Sequence, residues 1–350
     1  MRVLIATDAW HPQVNGVVRT LTSLAKAARA LDVEIEFLTP EGFPSWPLPT
    51  YPGLRIALPR GAEIARRIEA AAPDALHIAT EGPIGWAARA YCRRNRLAFT
   101  TSYTTRFPEY VAVRTGIPAA VGYAVLRHFH DAAAMTMVAT ASLRQELSER
   151  GFKRLGFWTR GVDTELFHPA SPASLDLPRP IFMTMGRVAV EKNLDAFLSL
   201  DLPGTKVVVG DGPQRASLEA KYPDAVFLGE KKGADLTAHL AAADVFVFPS
   251  LTDTFGVVQL EALACGTPVA AFPVTGPKDV IADHPIGAID HDLRAACLRA
   301  LTMSRETCRN FALSRSWENS ARQFVGNLTS LQPSRSLRAS PVMARRPVRP

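Results

Sequence analysis

The chain has 350 residues, 47% of them hydrophobic and 21% charged, the composition of a globular protein with enough apolar material for about two buried cores. Its formal charge is +7, but residues 333–350 hold five arginines and no acid, so without that tail the balance falls to +2. Four cysteines (Cys92, Cys265, Cys297, Cys308) show no zinc-like or CxxC spacing, and a reducing compartment fits best. No apolar run reaches the roughly 18 residues of a membrane span, and strand-like Val3-Leu4-Ile5-Ala6 follows Met1 with no room for a leader. A cytoplasmic protein is expected.

Short apolar runs alternate with amphipathic stretches, the pattern of βαβ units and parallel sheets. Strands are expected at Arg2–Ala6, Glu34–Leu38, Ala75–Ile78, Phe99–Ser102 and Thr136–Ala139, with helices near 16–30, 61–72, 84–95, 119–133 and 142–150. Pro40 to Gly53 carries Pro44, Pro47, Pro49 and Pro52 around Trp46 and Tyr51, too many prolines for a strand or helix. A linker-like segment from Phe167 separates a second set of strands: Ile181–Met185, Lys206–Val209, Val226–Leu228, Val245–Phe248 and Pro268–Ala271. Trp317 to Leu331 reads as a further helix, and the basic stretch after Pro333 has no apolar periodicity. The fold class is therefore α/β, two doubly wound Rossmann-like domains facing a central cleft that shares the ligand. The expected domains are 1–167 and 176–315, followed by a helix at 316–332 and a disordered basic tail at 333–350.

The most informative stretch runs from Ser250 to Pro268. A buried strand ends at Pro249, then Asp253 and Thr254 precede a short helical pattern from Gly256 to Ala264. This puts free N–H groups and the positive end of a helix dipole at the carboxyl end of a strand, where anionic or hydroxyl-rich ligands bind. Asp253 and Glu261 stand eight positions apart, and carboxylates accept well from sugar hydroxyls. Val209-Gly-Asp-Gly-Pro-Gln-Arg215 fails as a dinucleotide fingerprint, because its third glycine is replaced by Arg215.

These residues resemble the acidic-x7-acidic signature of the retaining glycosyltransferase family 4, which has a two-domain B-type fold. Asp253, where most members carry Glu, resembles the mannosyltransferase and glycolipid-synthase branch. The resemblance covers Arg2 to Leu331 and implies that 1–167 is the acceptor-side domain, that helix 316–332 crosses back onto it, and that 176–315 binds the nucleotide sugar. It implies a retaining, metal-independent hexosyl or hexuronosyl transfer from a nucleoside-diphosphate sugar to a membrane lipid such as diacylglycerol, with no cofactor. Gly186-Arg187 through Lys192-Asn193 resembles the element whose two cations hold the donor diphosphate, so Arg187 and Lys192 are expected to stabilise the leaving group. Glu261 would hold the ribose and Asp253 the sugar, with Thr254, Phe255 and Gly256 lining the donor pocket. Gly16 would let the backbone approach a phosphate, Gly229 would sit by the base, and Arg160 and Asp163 would form a hinge on the donor side.

Ser102-Tyr-Thr-Thr-Arg-Phe-Pro-Glu-Tyr110 matches an element that normally has His at its third place. Here Thr104 stands there, leaving room at the sugar C6, where Arg106 is placed to meet a carboxylate. UDP-glucuronate or UDP-glucose is the donor this suggests, with GDP-mannose the alternative. Trp46, Arg93, Arg94, Arg96 and Arg106 are the candidates for acceptor or anionic-membrane contact on the inner membrane face. Nucleic acid is not expected as a partner. A same-fold sugar-nucleotide epimerase and a non-catalytic basic binding protein remain as rivals.

Overall fold

The computed structural model describes residues 1–11, 15–47, 55–169, 173 and 175–331, apart from the side chains of Val113 and Arg114. Two compact units divide the chain. One takes Met1–Ser102, His128–Met137 and the stretch from Phe324, and the other takes Tyr103–Arg127 and Val138–Gln323.

In the first half the strands are β1 (Arg2–Ala6), β2 (Glu34–Leu38), β3 (Ser45–Pro47), β4 (Arg55–Ala57), β5 (Ala75–Ile78), β6 (Thr100–Ser102), β7 (Met135–Val138) and β8 (Leu155–Phe157). The helices among them are α1 (Gly16–Ala28), α2 (Gly61–Ala71), α3 (Pro83–Arg94), α4 (Phe107–Thr115), α5 (Ala119–His130) and α6 (Ala141–Glu149). The second half adds β9 (Ile181–Met185), β10 (Thr205–Val209), β11 (Val226–Gly229), β12 (Val245–Phe248), β13 (Val269–Ala271) and β14 (Gly287–Ile289). Its helices are α7 (Leu194–Leu198), α8 (Arg215–Lys221), α9 (Gly233–Ala242), α10 (Val257–Ala264), α11 (Pro277–Ile281), α12 (Leu293–Ala300), α13 (Arg305–Leu313) and α14 (Trp317–Thr329).

Two six-stranded sheets result, ordered β2-β1-β5-β6-β7-β8 and β11-β10-β9-β12-β13-β14. In the second sheet, alternate residues of each strand sort to opposite faces. Ile181, Met183, Val207 and Phe246 pack with α9 and α10, while Phe182, Val208, Val245 and Val247 pack with α12. Burial on both faces is what makes these strands read as continuous apolar runs. The order also reverses direction in each sheet, at β1/β5 and at β9/β12. Such switch points leave a crevice at the strands' carboxyl ends.

The expected strands and most of the helices are present, with ends moved by a few residues. One expectation needs correction, and two elements had not been foreseen. Ser45–Pro47 pairs antiparallel with Arg55–Ala57, so the proline-rich segment does hold strand, in a two-stranded ribbon where Pro47 needs no donor; residues 48–54 lie outside those described. Phe107–Thr115 is a helix that begins with proline in its first turn, a place where proline's missing N–H is harmless. Leu155–Phe157 is an additional strand. The basic tail from 332 onward is also outside the described residues.

Helix α13 lies behind the second switch point and supplies caps to its neighbours. Arg305 donates to the carbonyls of Ala241 and Ala243 at the end of α9, at 2.7 Å each. Arg309 donates to Ala264 O at the end of α10 (2.9 Å), and to Phe167 O (2.7 Å) and Thr164 O (3.0 Å). Terminal helix carbonyls have no partner within the helix, and a cation there also meets the negative dipole end. Arg309→Met should therefore orphan three carbonyls at once and destabilise the protein by about 2–3 kcal/mol. A thermal-denaturation midpoint lower by about 4–8 °C is expected; an unchanged midpoint would show that water replaces the guanidinium without loss.

Candidate active site at the second switch point

Strand β9 ends at Gly186, whose φ of 141° suits glycine and whose absent Cβ would have met nothing within 4 Å. The chain then stays close to its neighbour strand, with Gly186 N donating to Val209 O (3.0 Å) and Val188 N to Asp211 O (2.9 Å). A single 3₁₀ turn, Val190–Lys192, follows, and Asn193 in the left-handed region (φ 53°) starts α7. Asn193 Nδ2 donates to Pro249 O (3.1 Å), and Ser250 Oγ to Glu191 O (3.3 Å). These two bonds fasten the loop after β9 to the loop after β12.

Across this junction Lys192 Nζ donates to both carboxylate oxygens of Asp253, at 2.9 and 2.8 Å. Both side chains are partly exposed. Burial works against the Lys192 ammonium, but the charge and hydrogen bonds of Asp253 outweigh it and raise the lysine pKa. Burial likewise opposes the Asp253 carboxylate, yet Lys192, with help from Ser250, holds it below the usual aspartate value. The pair thus stays fully ionised through the neutral range. Arg187 is exposed at the same strand end.

After Asp253, Thr254 Oγ1 donates to Thr104 O (2.8 Å), anchoring the loop to the segment that leads into α4. Phe255 is buried. Gly256, with φ 78°, is the N-cap of α10, and a Cβ there would lie 2.6 Å from the Phe248 ring and 2.7 Å from Gln259 Nε2. Glu261, five positions into α10, is only 2% exposed, and its charge adds to the burial that pushes the Cys265 thiol up to about 12. Tyr110 of α4, a residue the sequence reading left without a role, lies within electrostatic reach of Asp253 and Lys192. Its signal was its place in the Phe-Pro-Glu-Tyr element.

Several expected site residues have hydrogen-bond partners within the protein. Arg106 is buried, not available to a sugar carboxylate: its guanidinium meets both oxygens of Glu146 at 2.8 and 2.6 Å and Glu109 at 3.3 Å. Burial opposes its charge, but Glu146 more than restores it and raises the pKa further. Arg160 is 6% exposed, donates to Trp158 O (2.6 Å) and lies over the Trp158 ring; burial lowers its pKa to about 10. Asp163 accepts from the N–H groups of Glu165 and Leu166 in a local turn. Gly229 ends β11 with φ 72°, its carbonyl bonded to Gly210 N.

In the first unit, Gly16 opens α1 with nothing near its missing Cβ, while Asn15 Oδ1 already accepts from Val17 N and Val18 N. Asp8 fills the β1/β5 switch point: its oxygens accept from Thr80 Oγ1 (2.8 Å), Ile84 N (2.8 Å) and Gly85 N (3.2 Å), and burial raises its pKa. His130 is buried, and its Nε2 lies 3.1 Å from a carboxylate oxygen of buried Glu81. Trp46 is 65% exposed on the ribbon, and Arg93, Arg94 and Arg96 are exposed at the end of α3.

Among the described residues no cluster of three His, Cys, Asp or Glu is placed to hold a metal. The chain does contain one Asp-x-Asp, Asp290-His291-Asp292, and both carboxylates have structural partners: Asp290 pairs with Arg299 at 2.8 Å and Asp292 caps α12. No described helix is long and apolar enough to cross a membrane.

Residues 14–166 match the family described as Glycosyltransferase Family 4, and residues 179–302 match Glycosyl transferases group 1. A GDP-mannose-dependent alpha-mannosyltransferase of Mycobacterium tuberculosis is 30% identical over 97% of this chain and 99% of its own. Sulfoquinovosyl transferase SQD2 of Arabidopsis thaliana is 30% identical over 70% of this chain and 52% of its own. Among solved structures, sucrose-phosphate synthase from Thermosynechococcus elongatus superposes with a TM-score of 0.78 at 20% identity, covering 94% of this chain and 98% of that one. Anabaena HepE in complex with UDP and glucose does so with a TM-score of 0.69 at 16% identity, covering 95% and 100%. With its two parallel sheets, its switch-point loops and matches along most of its length, the chain belongs to glycosyltransferase family 4, and it is a hexosyl-transferring enzyme of the B-type fold.

Proposed function

We propose that this enzyme moves a mannosyl group from GDP-mannose to a membrane lipid with retention at the anomeric carbon. The observation that carries the reading is the Lys192–Asp253 pair at the β9/β12 crevice, beside the glycine-capped start of α10. As the bond from the sugar C1 to the diphosphate oxygen breaks, negative charge grows on the departing group. Lys192 has three N–H donors and gives two to Asp253, so a third remains for a phosphate oxygen. Arg187, at the same strand end, would supply the second cation. Asp253 would accept from sugar hydroxyls and Glu261 from the ribose. The acceptor hydroxyl attacks C1 on the face the diphosphate leaves, and its proton passes to that diphosphate. No protein nucleophile is required.

For the donor, two observations favour a neutral mannosyl group over a uronosyl one. Arg106, the cation that a sugar carboxylate would need, is committed to Glu146. The relative that spans nearly the whole chain is named for GDP-mannose. UDP-glucose is the second reading, favoured by the short side chain of Thr104 in place of histidine. The lipid acceptor is supported by exposed Trp46, Arg93, Arg94 and Arg96.

A panel of GDP-mannose, UDP-glucose and UDP-glucuronate with lipid extract, read by thin-layer chromatography, tests the proposal. GDP-mannose should exceed both UDP-sugars by about tenfold or more in kcat/KM. A UDP-sugar in first place would reverse the donor assignment, and label moving only to water-soluble products would remove the lipid.

Arg187→Ala and Lys192→Ala should each lower kcat by about 10²–10³, the usual loss when one preorganised charge-stabilising donor is removed. Circular dichroism should show both variants folded; turnover near wild type in both would refute the diphosphate assignment.

Asp253→Asn should destabilise the protein by about 1–2 kcal/mol at pH 7, because Lys192 keeps its charge but loses its counter-ion. The carboxylate's folded-state pKa is depressed, so its contribution is present above the ordinary value of 3.8 and is lost as pH falls through the lower folded value. The gap between the two melting curves should therefore be constant from pH 5 to 8 and close below about pH 4. A gap that widens on acidification would contradict the ion pair's role.

A further inference from the structure

The segment after β8, residues 158–162, is fastened on several sides. Trp158 N donates to Val138 O (2.9 Å) and its indole Nε1 to Ser320 Oγ (3.1 Å). Thr159 N donates to Gln323 Oε1 (2.7 Å), Ser320 Oγ donates back to Thr159 O (2.7 Å), and Val162 N donates to Arg315 O (2.8 Å). Gly161 lies so close to the start of α14 that a Cβ there would come within 2.5 Å of Trp317 N. A side chain carried in the middle of such a frame is held in place before any ligand arrives. That side chain is Arg160.

Arg160 is 6% exposed, and among the described residues its one hydrogen-bond acceptor is Trp158 O, at 2.6 Å. Its guanidinium lies 4.3 Å from the centre of the Trp158 ring, and no carboxylate of the described residues pairs with it. Other arginines withdrawn from water are better supplied. Arg89 donates to Phe129 O (2.9 Å) and His128 O (2.8 Å), Arg106 meets Glu146 and Glu109, and Arg309 serves three carbonyls. A guanidinium has five N–H donors, and burying its charge without a counter-ion is costly. A single bond to a carbonyl needs only a neutral donor. The charge itself is what the protein's own contacts leave unanswered.

The packing around Arg160 leads back to the catalytic loop. Val162, two residues on, and Ala139 belong to the same buried cluster as Phe255 and Leu260, which follow Asp253 in the chain. At the start of α6, Ser142 N donates to Asp279 (2.8 Å), and Asp279 also receives Gly276 N (3.3 Å). Gly276 lies against Phe255, since a Cβ there would be 2.7 Å from Phe255 O. The frame that holds Arg160 and the loop that carries Asp253 thus share one packed support.

We infer that Arg160 is the receptor for a phosphate group of a substrate. The planar guanidinium, oriented by Trp158 O and by the ring over which it lies, offers its remaining N–H groups to the oxygens of one phosphate. Stacking uses the face of the group and hydrogen bonding its edge, so the Trp158 contact leaves that edge for the ligand. Two sources bring the same chemistry: the diphosphate of the donor, or a phosphate carried by the acceptor. The inference holds whichever sugar and acceptor this glycosyltransferase uses, so it stands apart from the mannosyl and lipid assignments above.

Inorganic phosphate is the probe, followed in the full-length protein by nuclear magnetic resonance of the tryptophan indole N–H groups. The Trp158 signal, identified by its loss in Trp158→Phe, should move as sodium phosphate is added and stay still in sodium chloride of equal ionic strength. In Arg160→Met the remaining indole signals should be unchanged, and phosphate should bind about tenfold or more weakly. The variant's melting temperature should stay within about 5 °C of wild type or rise, because methionine fills the space of the arginine stem without a buried charge. A Trp158 signal in the wild type that ignores phosphate overturns the inference without recourse to any variant. So does Arg160→Met that titrates like wild type, or that melts more than about 5 °C lower, which would make the guanidinium a strut of the fold. Repeating the wild-type titration with the released nucleoside diphosphate, GDP or UDP, at saturation separates the two sources. A response that persists assigns the site to a phosphate on the acceptor. A response that vanishes, with weaker binding of that nucleotide by Arg160→Met, assigns it to the donor.

Discussion

One ion pair organises the second switch point of this enzyme. Lys192 and Asp253 come from loops after β9 and β12, and they meet only because these two strands are neighbours at the point where the sheet reverses its order. Their neighbourhood depends in turn on strands apolar on both faces, which bury between helices on either side. Asn193 and Ser250 tie the two loops together by side-chain bonds to main-chain carbonyls, so the charged pair is held from both directions. Behind it, α13 uses two arginines to finish the carbonyl ends of α9 and α10. The site is thus the surface expression of a packed sheet flanked by helices whose carboxyl ends are capped by arginine.

The two switch points share a topology and differ in chemistry. At β1/β5 stands Asp8, whose carboxylate takes up two main-chain N–H groups at the start of α3 and a threonine hydroxyl. The helix terminus that could have received an anion has one built in. At β9/β12 the corresponding carboxylate, Asp253, is answered by a lysine instead of by helix N–H groups. The start of α10 after Gly256 carries no acidic residue in its first turn. Fold alone would not distinguish these crevices; the residues that occupy them do.

Much of this was legible in the sequence, for physical reasons. Buried parallel strands announce themselves as runs such as Val245–Phe248, and the helix start after Asp253 follows from glycine and the apolar period that succeeds it. What escaped the reading was long-range or masked by proline. Arg106 looked available because its partner Glu146 lies forty positions away. The helix that opens at Phe107–Pro108 was given no assignment although proline is welcome in a helix's first turn, and the strand at Ser45–Pro47 survives its proline by lying in a two-stranded ribbon. Arg160 and Asp163 were assigned by resemblance, and their bonds to Trp158, Glu165 and Leu166 are local geometry that spacing does not reveal.

The hydrogen bond from Thr254 to residue 104 is taken from a side chain on one partner and from the main chain on the other. A carbonyl is present whatever residue occupies the position, so the anchor between the loop and the segment before α4 is indifferent to the side chain at 104. A single substitution there can therefore be tried without unfastening the architecture that carries Asp253. Position 104 is in this sense released from one constraint: the anchor that holds the loop carrying Asp253 makes no demand on the side chain that stands there.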